Sequence, residues 1–305
     1  MSTLADHADH ADRTDGPVRG EPTGPRETAS GYRAGRTLPL RVELVRQLKR
    51  RRTLVMAGIL AALPFVLAVA FAVGGDPGGR NDRVTLMDTA TASGANFAAV
   101  NLFVSAGFLL VVPVALFCGD TVASEASWSS LRYLLAAPVP RARLLWSKLV
   151  VGLGLSLAAM VLLPVVALAV GTVAYGWGPL QIPTGGALDT ATATGRLAVV
   201  VGYVFVSQLV TAGLAFWLST RTDAPLGAVG GAVGLTIVGN VLDAVTALGH
   251  WRDFLPAHWQ FAWADAVQPH PEWSGMIQGT ALSVGYALVL FALAFRSFAR
   301  KDVVS

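Results

Sequence analysis

Residues able to do chemistry are few in this chain, and their spacing rules out more than it allows. The five histidines fall in two places. His7 and His10 lie in a polar tail and are too few to hold a metal there. His250, His258 and His270 lie in a tryptophan-rich segment, where interfacial hydrogen bonding is their natural task. There is no H-E-x-x-H pair for zinc and no acidic cluster suited to a metal. None of the three lysines, Lys49, Lys148 and Lys301, follows the glycines of a G-x-x-x-x-G-K-[ST] phosphate loop. No residue is therefore assigned a catalytic or metal-binding role. Energy for any work must come from an ion gradient or from another polypeptide. The single cysteine, Cys118, has no disulfide partner in the chain and reads as a small buried apolar residue.

A second group is polar and embedded in apolar sequence. Asn101, Gln208, Asn240 and Asp243 are the candidates for touching a solute on its way through a membrane. Asn101 and Gln208 are neutral and suited to hydrogen bonds between helices. Asp243, with Asn240 one turn before it, falls near the outer end of an apolar run, where contact with solute and capping of the helix end both remain open. Ion-coupled carriers bury ionisable groups mid-membrane. The apolar runs here are almost bare of them, which disfavours that mechanism.

The third group is the stretch Gly119 to Val151, GDTVASEASWSSLRYLLAAPVPRARLLWSKLVV. Trp128, Leu131 and Leu135 fall on one face of a helix expected over 123–136, with Glu125 and Arg132 elsewhere on it. Pro138 and Pro140 break the chain, and Arg141, Arg143 and Lys148 lead it back to apolar sequence. An exposed apolar stripe of this kind needs a cover. The chain's own segment 37–53 is one possibility and a separate cytoplasmic protein is the other. Segment 37–53 is itself amphipathic: Leu38, Val42, Val45 and Leu48 recur at helical spacing, with Arg41, Arg46, Lys49 and Arg50 on the other side. It is expected to lie in the headgroup plane and lead into a span.

These groups must be positioned by membrane helices. Of the 305 residues 53% are hydrophobic and only 14% charged, against about 25% charged in soluble domains. That excludes an ordinary soluble enzyme. The apolar runs are continuous rather than alternating, which excludes a transmembrane barrel. Six runs reach the length of about 20 residues that a span needs, near 54–73, 98–118, 149–174, 197–219, 226–248 and 278–295. Fifteen basic residues fall on one side of this arrangement and four, Arg80, Arg83, Arg196 and Arg252, on the other. By the positive-inside rule both termini are cytoplasmic. Residues 1–36 are too poor in large aliphatics to order and form a cytoplasmic tail; 297–305 form another. The expected fold class is an all-α integral membrane protein, an interfacial helix followed by a six-span domain over 54–296. The outer segment 249–277 carries Trp251, Phe254, Trp259, Phe261, Trp263 and Trp273 and is expected to rest in the outer interface. In the fifth run, Gly227 and Gly231, then Gly230 and Gly234, form overlapping G-x-x-x-G pairs suited to close helix approach, within one subunit or between two.

The order of these features resembles the permease subunits of type-2 ATP-binding-cassette exporters. Their first inner loop carries a glutamate, a short helix ending in leucines, a proline, a basic residue and a lysine opening the third span. Glu125, Leu131, Leu134, Leu135, Pro138, Arg141 and Lys148 match these in order; Ser129 and Ser130 stand where members often carry Gly-Thr. The resemblance covers 37–305. It implies an exporter in the bacterial plasma membrane, with two six-span units and a separate cytoplasmic ATPase that holds the ATP and magnesium and docks on the inner loop and entry helix. It implies no cofactor on this chain and no nucleic acid. It tips the glycine pairs toward a two-fold interface, and Pro64, Pro113 and Pro164 become candidate hinges. A scaffold that tethers a cytoplasmic protein without transport is the alternative.

Overall fold

In lipid every backbone N–H and C=O must be satisfied within the protein, so long uncharged apolar runs fold as helices. The computed structural model describes residues 40–74, 86–127, 140–183 and 185–300. In order its helices are α1 (Leu40–Leu48), α2 (Arg51–Gly74), α3 (Gly94–Ala106), α4 (Val111–Ser127), α5 (Arg141–Tyr175), α6 (Thr190–Ser207), α7 (Leu209–Arg221), α8 (Pro225–Ala244) and α9 (Ser274–Ala299). Among the described residues five stretches are long and apolar enough to cross a membrane: α2, α5, α6 with α7, α8, and α9. A sixth exists if the bent pair α3 and α4 counts as one span.

That bent pair corrects the continuous second span expected over 98–118. Its halves meet at 53°, and the cause is local. Pro113 is the third residue of α4; it has no N–H to give to the carbonyl four residues back, and its ring crowds that carbonyl. The helix therefore ends at Ala106 and restarts at Val111, across a wide turn in which Leu110 N donates to Ser105 O at 2.9 Å. Two side chains from other helices take up freed carbonyls. Gln208 Nε2 donates to Ala106 O at 3.3 Å, and Asn240 Nδ2 donates to Gly107 O at 3.2 Å. Gln208 itself sits at the junction of α6 and α7, which together make one span over Thr190–Arg221, with Gln208 N donating to Val204 O at 3.1 Å and Ala212 N to Gln208 O at 2.9 Å across it.

The second span is the axis of the bundle. α3 packs on α5, and α4 packs on α5, α7 and α8. Lipid removes the hydrophobic drive between helices, so close approach and hydrogen bonds must hold them. Gly152 of α5 meets this need: a Cβ there would lie 3.0 Å from Phe117 O. Between α4 and α7, Ser219 Oγ accepts from Val122 N at 3.1 Å and from Ala123 N at 2.9 Å. By contrast, the most apolar windows of α2 and α8 are each only 11% buried.

α5 has 35 residues, about 50 Å at roughly 1.5 Å per residue, against a hydrocarbon core of about 30 Å. It begins at Arg141 and already contains Lys148, so the inner loop expected over 119–148 is shorter than the sequence suggests. On the opposite side, a short antiparallel ribbon pairs Leu180 with Leu188. Asn96 binds its edge, donating to Gln181 O at 2.7 Å and accepting from Gln181 N at 2.9 Å.

The aromatic segment folds as three 3₁₀ stretches, Thr246–Phe254, Pro256–Trp259 and Ala262–Val267. Only part of it is available to an interface. Trp251, Phe254 and Trp273 are exposed, whereas Trp263 is fully buried. The ring of Phe261 lies 5.1 Å from that of Phe103 of α3, tilted by 43°, Tyr203 Oη donates to Trp259 O at 2.5 Å, and Arg196 Nη1 donates to Ala266 O at 3.1 Å. The segment is thus pinned to the bundle by the second and fourth spans.

Candidate functional site

The basic ends of α1, α2 and α5 meet the acidic end of α4 in a lattice of ion pairs. Glu125, in the last turn of α4, bonds Lys148 Nζ of α5 at 2.6 Å and also the guanidinium of Arg46 of α1. Arg46 Nη2 returns to Glu43 Oε2 at 2.9 Å, and Lys148 Nζ lies 3.6 Å from Glu43 Oε1. A turn earlier on α4, Asp120 pairs with Arg50 at 2.8 Å and with Arg52 at the start of α2. Lys148 Nζ also donates to Thr121 O at 3.1 Å. Three carboxylates thus face four cations, and every pair but Arg46–Glu43 joins different segments of the chain.

Burial sets the strength of this lattice. The side chains of Lys148 and Glu125 are 2% and 4% exposed, so neither charge is tolerable without the other. Arg46 remains 43% exposed. Burial pushes the Glu43 carboxyl up, but Lys148, the Gln47 amide and Arg46 outweigh it and hold Glu43 below its ordinary value. Burial likewise disfavours the charged Arg46, and Glu125 with Glu43 more than restores it, raising its pKa.

α1 is turned so that its polar residues, Glu43 and Gln47, face the protein while Val42, Val45 and Leu48 face outward. The outward apolar face is the geometry of a helix lying on lipid. α1 is shorter than the 37–53 expected, since Lys49 and Arg50 separate it from α2, and Arg51 and Arg52 belong to the first span. Glu125 was expected on a helix over 123–136; it lies on α4, and the part of that helix after Ser127 falls outside the described residues. Trp128, Leu131, Arg132, Leu135 and Pro138 lie outside the described residues. Arg141 opens α5, and its Nη1 donates to Ala299 O at 3.5 Å, linking that helix to the end of α9.

The four polar candidates for a pathway separate into three roles. Gln208 and Asn240 brace the broken second span and also line a cavity of about 370 Å³ between α7, α8, α9 and the aromatic turns. Thr211, Thr236, Gln260 and Tyr286 add hydroxyls and an amide to walls of leucine and valine. Asn101 does not reach another helix with its amide nitrogen; Nδ2 donates to Phe97 O of its own helix at 2.8 Å. Asp243 bonds Arg252 Nε at 3.1 Å and His258 Nδ1 at 2.7 Å, which ties the end of α8 to the aromatic turns. Neither Asn101 nor Asp243 lines that cavity.

The glycines divide as well. A Cβ on Gly231 would lie 3.0 Å from Leu218 Cδ1, so this residue faces α7 inside the subunit. At Gly227 a Cβ would meet only Ala224 and Thr222 near its own helix start, and at Gly230 and Gly234 it would meet nothing within 4 Å.

Residues 40–222, more than half of the chain, match the ABC-2 family of transporter proteins. The chain belongs to that family. No curated protein matches it. The matched region runs from α1 through α7 and therefore contains the whole ion-pair lattice. In an ABC-2 member the membrane domain is a transporter component whose family implies an ATPase partner. Within this ABC-2 chain, sequence reasoning missed Glu43, Asp120 and Arg52 as members of one cluster. A usable signal existed: Glu43 is the lone acid of a basic amphipathic helix, and Asp120 and Lys148 abut long apolar runs, where an unpaired charge is costly.

Proposed function

We propose that this chain is the permease subunit of an exporter, driven by a separate cytoplasmic ATPase that docks on the loop after α4 and on α1. Two copies form the pathway in the bacterial plasma membrane, with both termini cytoplasmic. The partner binds ATP and magnesium, and this chain converts the partner's closure into helix movement. The observation that carries the reading is the Glu125–Lys148–Glu43–Arg46 lattice. It couples an interfacial helix, the end of the second span and the protruding start of the third, so force applied at the loop reaches all three together. A scaffold has no need of such a linkage, nor of the largely apolar cavity, edged by a few hydroxyls and amides, between the last three spans.

The test is reconstitution of the full chain with its ATPase in proteoliposomes, reading ATP turnover and efflux of uncharged lipophilic dyes. Truncating a central interface aromatic costs about 2 kcal/mol or more, so Trp128→Ala should loosen the complex at least tenfold. Glu125→Gln/Lys148→Met, which removes both buried charges together, should leave the ATPase bound and hydrolysing while efflux falls. Full efflux in both variants would remove the loop and the lattice from the transmission. ATPase binding without movement of any dye by the wild type would favour the scaffold.

A further inference from the structure

The fourth and sixth spans touch closely at mid-membrane. A Cβ on Gly213 of α7 would lie 2.9 Å from Leu290 Cβ of α9, and just beyond, Phe216 and Phe291 meet edge-on at 6.3 Å. Toward the C-terminal ends of both helices a cavity of about 600 Å³ opens between them. Trp217 and Leu293 form its walls on the membrane side, and Arg221, Arg296 and Arg300 form its mouth, with the Ser297 hydroxyl among them.

The charge in this cleft is one-sided. Among the described residues no carboxylate lines it and none of the three arginines has an ion pair. The carbonyl ends of α7 and α9 favour nearby cations, but only by a fraction of a charge each. A guanidinium fork matches phosphate oxygens in pairs. A soluble phosphate would use the arginines alone. The apolar wall of Trp217 and Leu293, continuous with the membrane-facing side, suits a phosphate that carries a hydrocarbon chain.

We propose that this cleft binds the phosphate of an anionic phospholipid, with Arg221, Arg296 and Arg300 on the headgroup and Trp217 and Leu293 against the glycerol and first methylenes. Such basic pockets between spans are established headgroup sites in general. The lipid would seal the splayed ends of the fourth and sixth spans. Its assignment to the cytoplasmic leaflet rests on the orientation proposed above; the site itself does not depend on transport or on the ATPase, so the experiment below separates the two.

The full-length protein in detergent is titrated with short-chain phosphatidylglycerol and with phosphatidylcholine of equal chain length, and retained lipid is counted by native mass spectrometry. The wild type should retain one phosphatidylglycerol, preferred by about tenfold or more, as several basic contacts imply. Arg221→Gln/Arg296→Gln/Arg300→Gln should lose the preference. The triple Arg→Lys variant, which keeps the charge, should retain part of it and guards against a folding defect. A control with the same charge loss elsewhere, Arg41→Gln/Lys49→Gln/Arg51→Gln, should keep it. Equal loss in the control would show generic surface charge and overturn the site. Displacement of the lipid by an equal concentration of inorganic phosphate or glycerol phosphate would show a soluble-anion site and overturn the lipid assignment. Loss of preference in the Lys variant would overturn the role of the three charges.

Discussion

Lys148 is the residue on which the ion-pair lattice turns, because it is the buried cation between two carboxylates. Removing one member of a buried pair leaves the other charged and unsolvated, at a cost of about 3–5 kcal/mol. Lys148→Met should therefore melt well below wild type in detergent, and Lys148→Met/Glu125→Gln should regain much of the loss. A single variant as stable as wild type would show that these charges are solvated. Glu43 supplies a pH dependence of known sign. Its folded pKa lies below the ordinary 4.5, so its stabilisation is fully present above that value and is lost as pH falls through the lower folded one. Glu43→Gln should be less stable than wild type at neutral pH, and the gap in melting temperature should close on acidification below 4.5. A gap that stays constant with pH would mean that Glu43 acts without its charge.

Among the helices, the broken second span is the element most dependent on its neighbours. Pro113 made a kink legible in advance, but the interruption falls one turn earlier, at 107–110, because a proline affects the carbonyl four residues before it. What sequence leaves open is who satisfies the carbonyls exposed there. Gln208 and Asn240 do so from two different helices, and removing a partner from a buried carbonyl costs about 1–3 kcal/mol. Gln208→Ala and Asn240→Ala should each destabilise the protein by about 1 kcal/mol or more. Because the two serve adjacent carbonyls, a double-mutant cycle should show coupling. Strict additivity would mean that water replaces one of them.

For the whole molecule, the decisive feature is how little of α2 and α8 the subunit buries. Leu226, Val238 and Val241 of α8 and Val55, Phe65, Val66 and Val69 of α2 are all exposed. Lipid can cover such faces, yet the open sites at Gly230 and Gly234 permit a second backbone to approach. If two copies meet there, Gly234→Leu should lower the dimer fraction in detergent, measured by sedimentation, without changing monomer stability. Gly231→Leu should instead destabilise the monomer, since its side chain would run into Leu218. An unchanged dimer in Gly234→Leu would place the contact elsewhere.

The apolar spans and the basic bias of one side were legible because both are local: a run of twenty apolar residues, or an arginine beside one, carries its meaning without the rest of the chain. The order of motifs from Glu125 to Lys148 was legible for the same reason and led to the family that residues 40–222 match. Tertiary structure alone decided which charges meet. Glu43 stands on α1, Asp120 and Glu125 on α4 and Lys148 on α5, and only packing of these helices turns isolated charges into one buried lattice. It also sent Trp263 inward and left Trp251 outside within one aromatic run, because the pinning contacts of Tyr203, Arg196 and Phe103 come from spans distant in sequence. Hydrophobic length is a property of a segment, whereas the pairing of polar groups is a property of the faces that packing brings together.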